Sequence, residues 1–146
     1  ELMLACDIIF AARDARFGDQ HAQFGLIPGW GGSQRFARIV GLRRGLDMFF
    51  SARWIDAATA EQWGLVNYVV EPDKLHEEAL AYCTKIATRS RIGMATMKRL
   101  ARQGMEGSLE VGLQLEEDLA SAALMDDDVS EGLAAFEARR TPVFKP

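Results

Sequence analysis

Ala15-Arg-Phe-Gly-Asp-Gln-His-Ala-Gln-Phe-Gly-Leu-Ile-Pro-Gly-Trp-Gly-Gly-Ser-Gln-Arg35 sets a glycine-rich backbone around one imidazole, that of His21. Gly25, Gly29, Gly31 and Gly32, with Pro28, suit turn geometries that residues with a β-carbon avoid. Ser33 and the residues after it begin a helical pattern. A strand, a bend and a helix start within roughly twenty residues is a common way to build a site. The arrangement invites a ligand without naming one.

Working outward, Leu2–Cys6 reads as the end of a helix and Asp7–Ala12 as a short buried strand. Ala15–Gly18 suggests a second strand. Ser33–Val40 and Arg43–Phe50 are helical, with Gly41 as the stop between them. Asp56 is placed to cap a helix over Ala57–Trp63, and Gly64 to end it. Leu65–Val70, rich in β-branched residues, predicts a strand. Beyond Pro72 the character changes: Asp73–Thr88, Arg91–Gln103, Ser108–Leu124 and Val129–Arg139 all show helical spacing. In the third of these, Leu109, Val111, Leu113, Leu115 and Leu119 form a broad apolar stripe. The expected organisation is a strand-containing region over 1–71 and a helical region over 72–146. Such helices fit subunit contacts, and an intramolecular bundle would look the same.

Composition bounds the class. A hydrophobic content of 49% is ordinary for one globular core, and no apolar run approaches the ~20 residues that span a bilayer. With 17 Lys and Arg against 21 Asp and Glu, the net charge of −4 offers no basic field for nucleic acid. Cys6 and Cys83 lie far apart, form no metal-type spacing, and read as buried reduced thiols of a cytoplasmic protein. No signal-peptide pattern is present.

Several segments carry a resemblance to a known family. Glu1-Leu-Met-Leu-Ala-Cys-Asp7, Ala15-Arg-Phe-Gly18 and Gly25-Leu-Ile-Pro-Gly-Trp-Gly-Gly-Ser-Gln-Arg35 resemble the crotonase (enoyl-CoA hydratase/isomerase) family. Ala57-Ala-Thr-Ala-Glu-Gln-Trp-Gly-Leu-Val66 is similar to its later helix and strand. Glu131-Gly-Leu-Ala-Ala-Phe-Glu-Ala-Arg-Arg-Thr-Pro-Val-Phe144 is similar to its terminal helix and tail. The resemblance implies an α/β fold, a crotonase-like spiral of ββα units, here its C-terminal portion, followed by a helical C-terminal region. It also implies roughly a hundred residues upstream of Glu1. Those would carry the two backbone N–H donors that stabilise a thioester enolate, so residues 1–146 alone are expected to be inactive.

What the chain itself would supply is acid–base chemistry and part of an acyl pocket. Glu1 matches one of the two glutamates with which hydratases add water to an enoyl double bond; it also reads as a first-turn acid favoured by a helix dipole. His21 departs from the pattern by standing where the second glutamate is expected. Imidazole exchanges protons near neutral pH, but it cannot reproduce the coupling of two carboxylates. A hydrogen-bonded structural histidine is the plain alternative. Asp19 reads either as a carboxylate that orients the His21 ring or as a surface loop acid.

The acyl pocket implied by the resemblance runs through Asp19, Phe24, Leu26, Pro28, Gly29 and Trp30. Gly29 has no side chain where some related isomerases and dehalogenases place an aspartate, which argues against those subclasses. Trp30 reads as a pocket wall or as core packing. Phe136 and Arg139 resemble positions that meet coenzyme A, often across a subunit boundary. Arg35, Arg38, Arg43 and Arg44 form a cluster that suits a phosphate or merely a solvated helix face, and Lys98, Arg99 and Arg102 a similar face later. His76 reads as exposed.

The expected activity is that of an enoyl-CoA hydratase or isomerase with no metal and no cofactor beyond the substrate's own coenzyme A. A homotrimer or hexamer is expected, with no nucleic acid or membrane partner. The alternatives are a related acyl-CoA decarboxylase or thioester hydrolase, or a non-catalytic acyl-CoA-binding member.

Overall fold

A computed structural model describes residues 1–145. They form two compact units, one spanning Glu1–Leu80 and one beginning at Ala81.

The first unit opens on a 3₁₀ turn over Met3–Ala5, where the sequence suggested the end of a longer helix. Strand β1 (Phe10–Ala12) and strand β2 (Arg16–Phe17) follow. Helices α1 (Gly32–Val40) and α2 (Leu42–Ser51) meet at Gly41, as expected. Strand β3 (Ile55–Asp56), helix α3 (Ala57–Gln62) and strand β4 (Tyr68–Val70) complete the unit.

Strands β1 and β4 pair in parallel, with Phe10 opposite Tyr68 and Ala12 opposite Val70. Parallel strands need a long crossover, and α1 to α3 supply it. Strands β2 and β3 pair antiparallel, Arg16 opposite Asp56.

Both central strands are shorter than the sequence suggested, for local reasons. After Gly64 the chain turns back on α3, so Leu65 donates its N–H to Ala60. Asn67 then spends its side-chain oxygen on the Ile9 amide at 2.8 Å, and regular pairing begins only at Tyr68 and Phe10.

The core gathers Phe36, Val40, Met48, Ile55, Leu65 and Val66, with Ala57 and Ala60 wholly enclosed. Met48 is 1% exposed. Its depth depends on how closely α2 approaches α1. A Cβ on Gly45 would stand 3.1 Å from both Cα and Cβ of Ala37, tighter than ordinary packing allows. Asp56 caps α3 by accepting the Thr59 N–H at 2.8 Å, and hydrogen bonds from the Thr59 side chain, then its backbone amide, hold the Asp56 carboxyl below the usual range.

Helix α4 (Leu75–Ile86) follows a 3₁₀ turn at Pro72–Lys74, and the boundary between the units falls within it. His76 is exposed in its first turn, as expected. The second unit continues with α5 (Arg91–Gly104), α6 (Leu109–Ala123) and α7 (Asp127–Glu137). Ser90, Ser108 and Asp126 cap these three helices through their side chains.

Ser90 does more than cap. Its hydroxyl accepts the Gly93 N–H at 3.0 Å and donates to the Asp128 carboxylate at 2.6 Å. Asp128 is the buried acid of this unit, 9% exposed. A buried carboxylate without such a donor would be costly.

Helices α4, α5 and α6 bury none of their residues. The α6 stripe is present but open, with Leu109, Val111 and Leu113 all more than half exposed. Cys6 and Cys83 correct another expectation. Both are free thiols, and both are exposed rather than buried.

The tail folds back on α7. Arg140 grips the Glu131 carboxylate with both guanidinium nitrogens, and the Val143 N–H donates to the same group at 2.8 Å. The Arg140 hydrogen bonds, then the Val143 amide, pull the Glu131 carboxyl down to about 2. Among the described residues no helix is long and apolar enough to cross a membrane.

Candidate functional site

Glu1 and His21 line one cavity of about 570 Å³, formed wholly within the first unit. Its walls are mainly apolar, with Phe17, Phe24, Leu26, Phe36 and Leu65 among them. Its polar and charged lining residues are Glu1, Arg16, Asp19, Gln20 and His21.

Glu1 is held by backbone it could not have been matched to from local sequence. Its Oε1 accepts the Gly32 N–H at 2.7 Å and the Trp30 N–H at 3.0 Å. Gly32 is the first residue of α1, so its amide is among those a helix leaves unpaired. The dipole-favoured acid anticipated from sequence therefore exists, but it serves α1, thirty-one residues on.

The Gly32 bond, opposed by partial desolvation and aided by the Trp30 bond, holds the Glu1 carboxyl below its usual range. The side chain is thus kept as a carboxylate at neutral pH. Contact at this point requires Gly32 itself. A Cβ there would stand 2.7 Å from Glu1 Oε1. Arg35 closes the same turn from the other side, donating from Nη1 to the Trp30 carbonyl at 2.7 Å.

His21 starts a 3₁₀ turn over His21–Phe24. Its Nδ1 lies 3.0 Å from Asp19 Oδ1, and its backbone N–H donates to the same oxygen at 3.1 Å. The Asp19 side chain is only 15% exposed, so it is a partner of the ring rather than a surface loop acid.

Gln20 anchors this turn. Its amide donates to the Ala52 carbonyl at 2.7 Å, beyond the end of α2, and it accepts from Gln23 at 2.6 Å.

The other expected pocket residues divide. Phe24 and Leu26 line the cavity while remaining open to solvent. Pro28, Gly29 and Trp30 do not line it. Trp30 is 81% exposed, which also sets aside core packing, and it reaches the site only through its backbone. Phe136 lies in the last turn of α7 and is exposed, and Arg139 follows the end of that helix at a positive φ of 51°.

Three of the four arginines read as a cluster have partners of their own. Arg35 binds the Trp30 carbonyl, Arg38 binds Gln34 one turn back, and Arg44 stacks on Trp63 at 5.2 Å.

Sequence reading missed the anchoring roles of Gly32 and Gln20. The paired Gly31–Gly32 at a helix start was the available signal, since it permits close backbone approach. Nothing local announced which group would approach. Among the described residues no cluster of three or more His, Cys, Asp or Glu is arranged to hold a metal ion.

All of residues 1–146 match the family described as Enoyl-CoA hydratase/isomerase. A probable enoyl-CoA hydratase of Rhizobium meliloti (strain 1021) is 42% identical over 145 residues, covering 99% of this chain and 56% of the relative. The 2,3-dehydroadipyl-CoA hydratase of Escherichia coli (strain K12) is 39% identical over 145 residues, covering 99% and 57%. Among solved structures, an enoyl-CoA hydratase from Bacillus anthracis superposes with a TM-score of 0.94 at 36% identity. It covers 97% of this chain and 55% of that one. The chain thus spans about half the length of the curated relatives it matches.

Proposed function

The chain belongs to the enoyl-CoA hydratase/isomerase family and has its crotonase-like fold, and from that premise we propose that the protein hydrates an α,β-unsaturated acyl-CoA thioester. The observation that carries the reading is the placement of Glu1, held as a carboxylate, with the His21 imidazole on one apolar-walled cavity. Names of relatives that act on enoyl-CoA substrates support it.

The two groups suit opposite halves of the addition. Glu1 is an acceptor whose Oε1 is already engaged by two amides, leaving the carboxylate to take a proton from water. As that O–H bond breaks, the water oxygen bonds to the β-carbon and the π-electrons move to the thioester oxygen. The imidazolium of His21 then gives its proton to the α-carbon, and the carbonyl reforms. Water has been added across the double bond. Proton exchange through solvent returns the one from Glu1 to His21.

The enolate oxygen needs two backbone donors, which the family resemblance places ahead of Glu1. No metal or further cofactor is required by these steps. Phe136 and Arg139 are proposed to meet coenzyme A, and the exposed α6 stripe to form subunit contacts of a trimer or hexamer. A cytoplasmic location fits free, exposed thiols at Cys6 and Cys83.

The test is loss of enoyl-thioester absorbance when crotonyl-CoA meets the complete natural protein. Turnover is expected, and Glu1→Gln should lower kcat by about 10²- to 10⁴-fold. Glutamine keeps an acceptor for both amides, so the turn should survive. No turnover by the natural protein, restored by His21→Glu, would transfer the site to decarboxylation or thioester hydrolysis. Ligand binding with no chemistry in any variant would mark a binding protein.

A further inference from the structure

We propose that Asp19 is a positioning residue that keeps Nδ1 of His21 protonated, so that Nε2 is the single nitrogen through which the ring exchanges protons with the cavity. A carboxylate oxygen only accepts hydrogen bonds. Asp19 Oδ1 lies 3.0 Å from Nδ1 and already receives the His21 backbone N–H at 3.1 Å. Nδ1 therefore carries hydrogen in both charge states of the ring. Proton gain and loss fall on Nε2, which bears a lone pair when the ring is neutral and a hydrogen when it is charged.

The geometry is fixed from two directions. Oδ1 ties the ring to the start of its own 3₁₀ turn, and Gln20 ties that turn to Ala52. Such a second partner selects a tautomer as well as an orientation. The charged groups sharing the cavity with the ring are Asp19 from its own loop, Glu1 from the chain start and Arg16 from β2. Asp19 is the one in hydrogen-bond contact.

The consequence for turnover rests on the hydratase reading above, whereas the consequence for the ring does not. The experiment therefore reads both. In the complete protein carrying histidine labelled with ¹⁵N, the His21 signals are assigned by their loss in His21→Gln, and His76→Asn identifies those of the other histidine of residues 1–146. Long-range ¹H–¹⁵N spectra at high pH should show His21 neutral with hydrogen on Nδ1. Asp19→Ala should convert it to a mixture with Nε2–H. Finding Nε2–H as the neutral form in the natural protein would overturn the proposal, whatever the enzyme does.

With crotonyl-CoA as substrate, Asp19→Asn should lower kcat by about 10²-fold and leave KM within about threefold. An unchanged kcat would equally sink the proposal. If the natural protein fails to hydrate any enoyl thioester, the proposed function falls, and the ring spectra alone decide the role of Asp19.

Discussion

Helix α2 presses Met48 against α1 until 1% of it is exposed, whereas the longer α6 buries no residue at all among those described. Both helices are amphipathic, and both begin with local signals that sequence reading picks up. The difference lies in what faces them. Helix α2 meets α1 at a glycine, and the two close on Ile55, Leu65 and Val66. Helix α6 meets α5 through Gly104 and Gly112, while Leu109 and Leu113 stay open. Amphipathic spacing therefore states that a helix has an apolar side. It does not state that its own chain covers that side.

The contrast can be broken at its strong end first. Met48→Ala should cost about 2–5 kcal/mol in denaturant unfolding, because the surrounding helices relax only partly into the vacated volume. A loss under about 1 kcal/mol would show that the first unit is looser than its enclosed residues indicate.

Ser90→Ala probes the one place where, among the described residues, the second unit buries a charged side chain. It removes the donor to Asp128 and the cap on α5, so a loss of about 1–3 kcal/mol is expected. Urea unfolding followed by tryptophan-independent circular dichroism would measure it. No change would mean that solvent already satisfies Asp128.

The smallest effect belongs to the open stripe. Leu113→Gln should alter the stability of dissociated protein by less than about 0.5 kcal/mol. Light scattering should at the same time show weakened subunit association. A large loss of stability without any change in assembly would place Leu113 inside a core after all.

These contrasts mirror what was legible beforehand. Asp56, Gly41 and Gly64 were readable because each acts on backbone within a few residues of itself. Strand limits were not, since the start of β1 is set by where Tyr68 arrives and by the Asn67 side chain. The exposure of Cys6 and Cys83 was misread because apolar neighbours in sequence say little about neighbours in space.

The site follows the same rule. Asp19 and His21, two positions apart, were recognisable as a possible pair. The bond between Glu1 and the turn at Trp30 and Gly32 joins segments about thirty residues apart, and no local pattern encodes it. Pro28 and Gly29 belong to the glycine-rich motif, yet the cavity forms without them.

The shared oxygen of Glu1 has one more consequence. Its carboxyl is depressed on folding, so the latch contributes stability above the ordinary carboxylate range and loses it as pH falls through the lowered value. A proton arriving on this group during a reaction acts in the same direction, since it weakens the acceptor that two amides share. The glycine turn is in this sense a mechanical gauge of one side chain's charge. The exposed indole of Trp30, next to one of those amides, is the natural needle of that gauge.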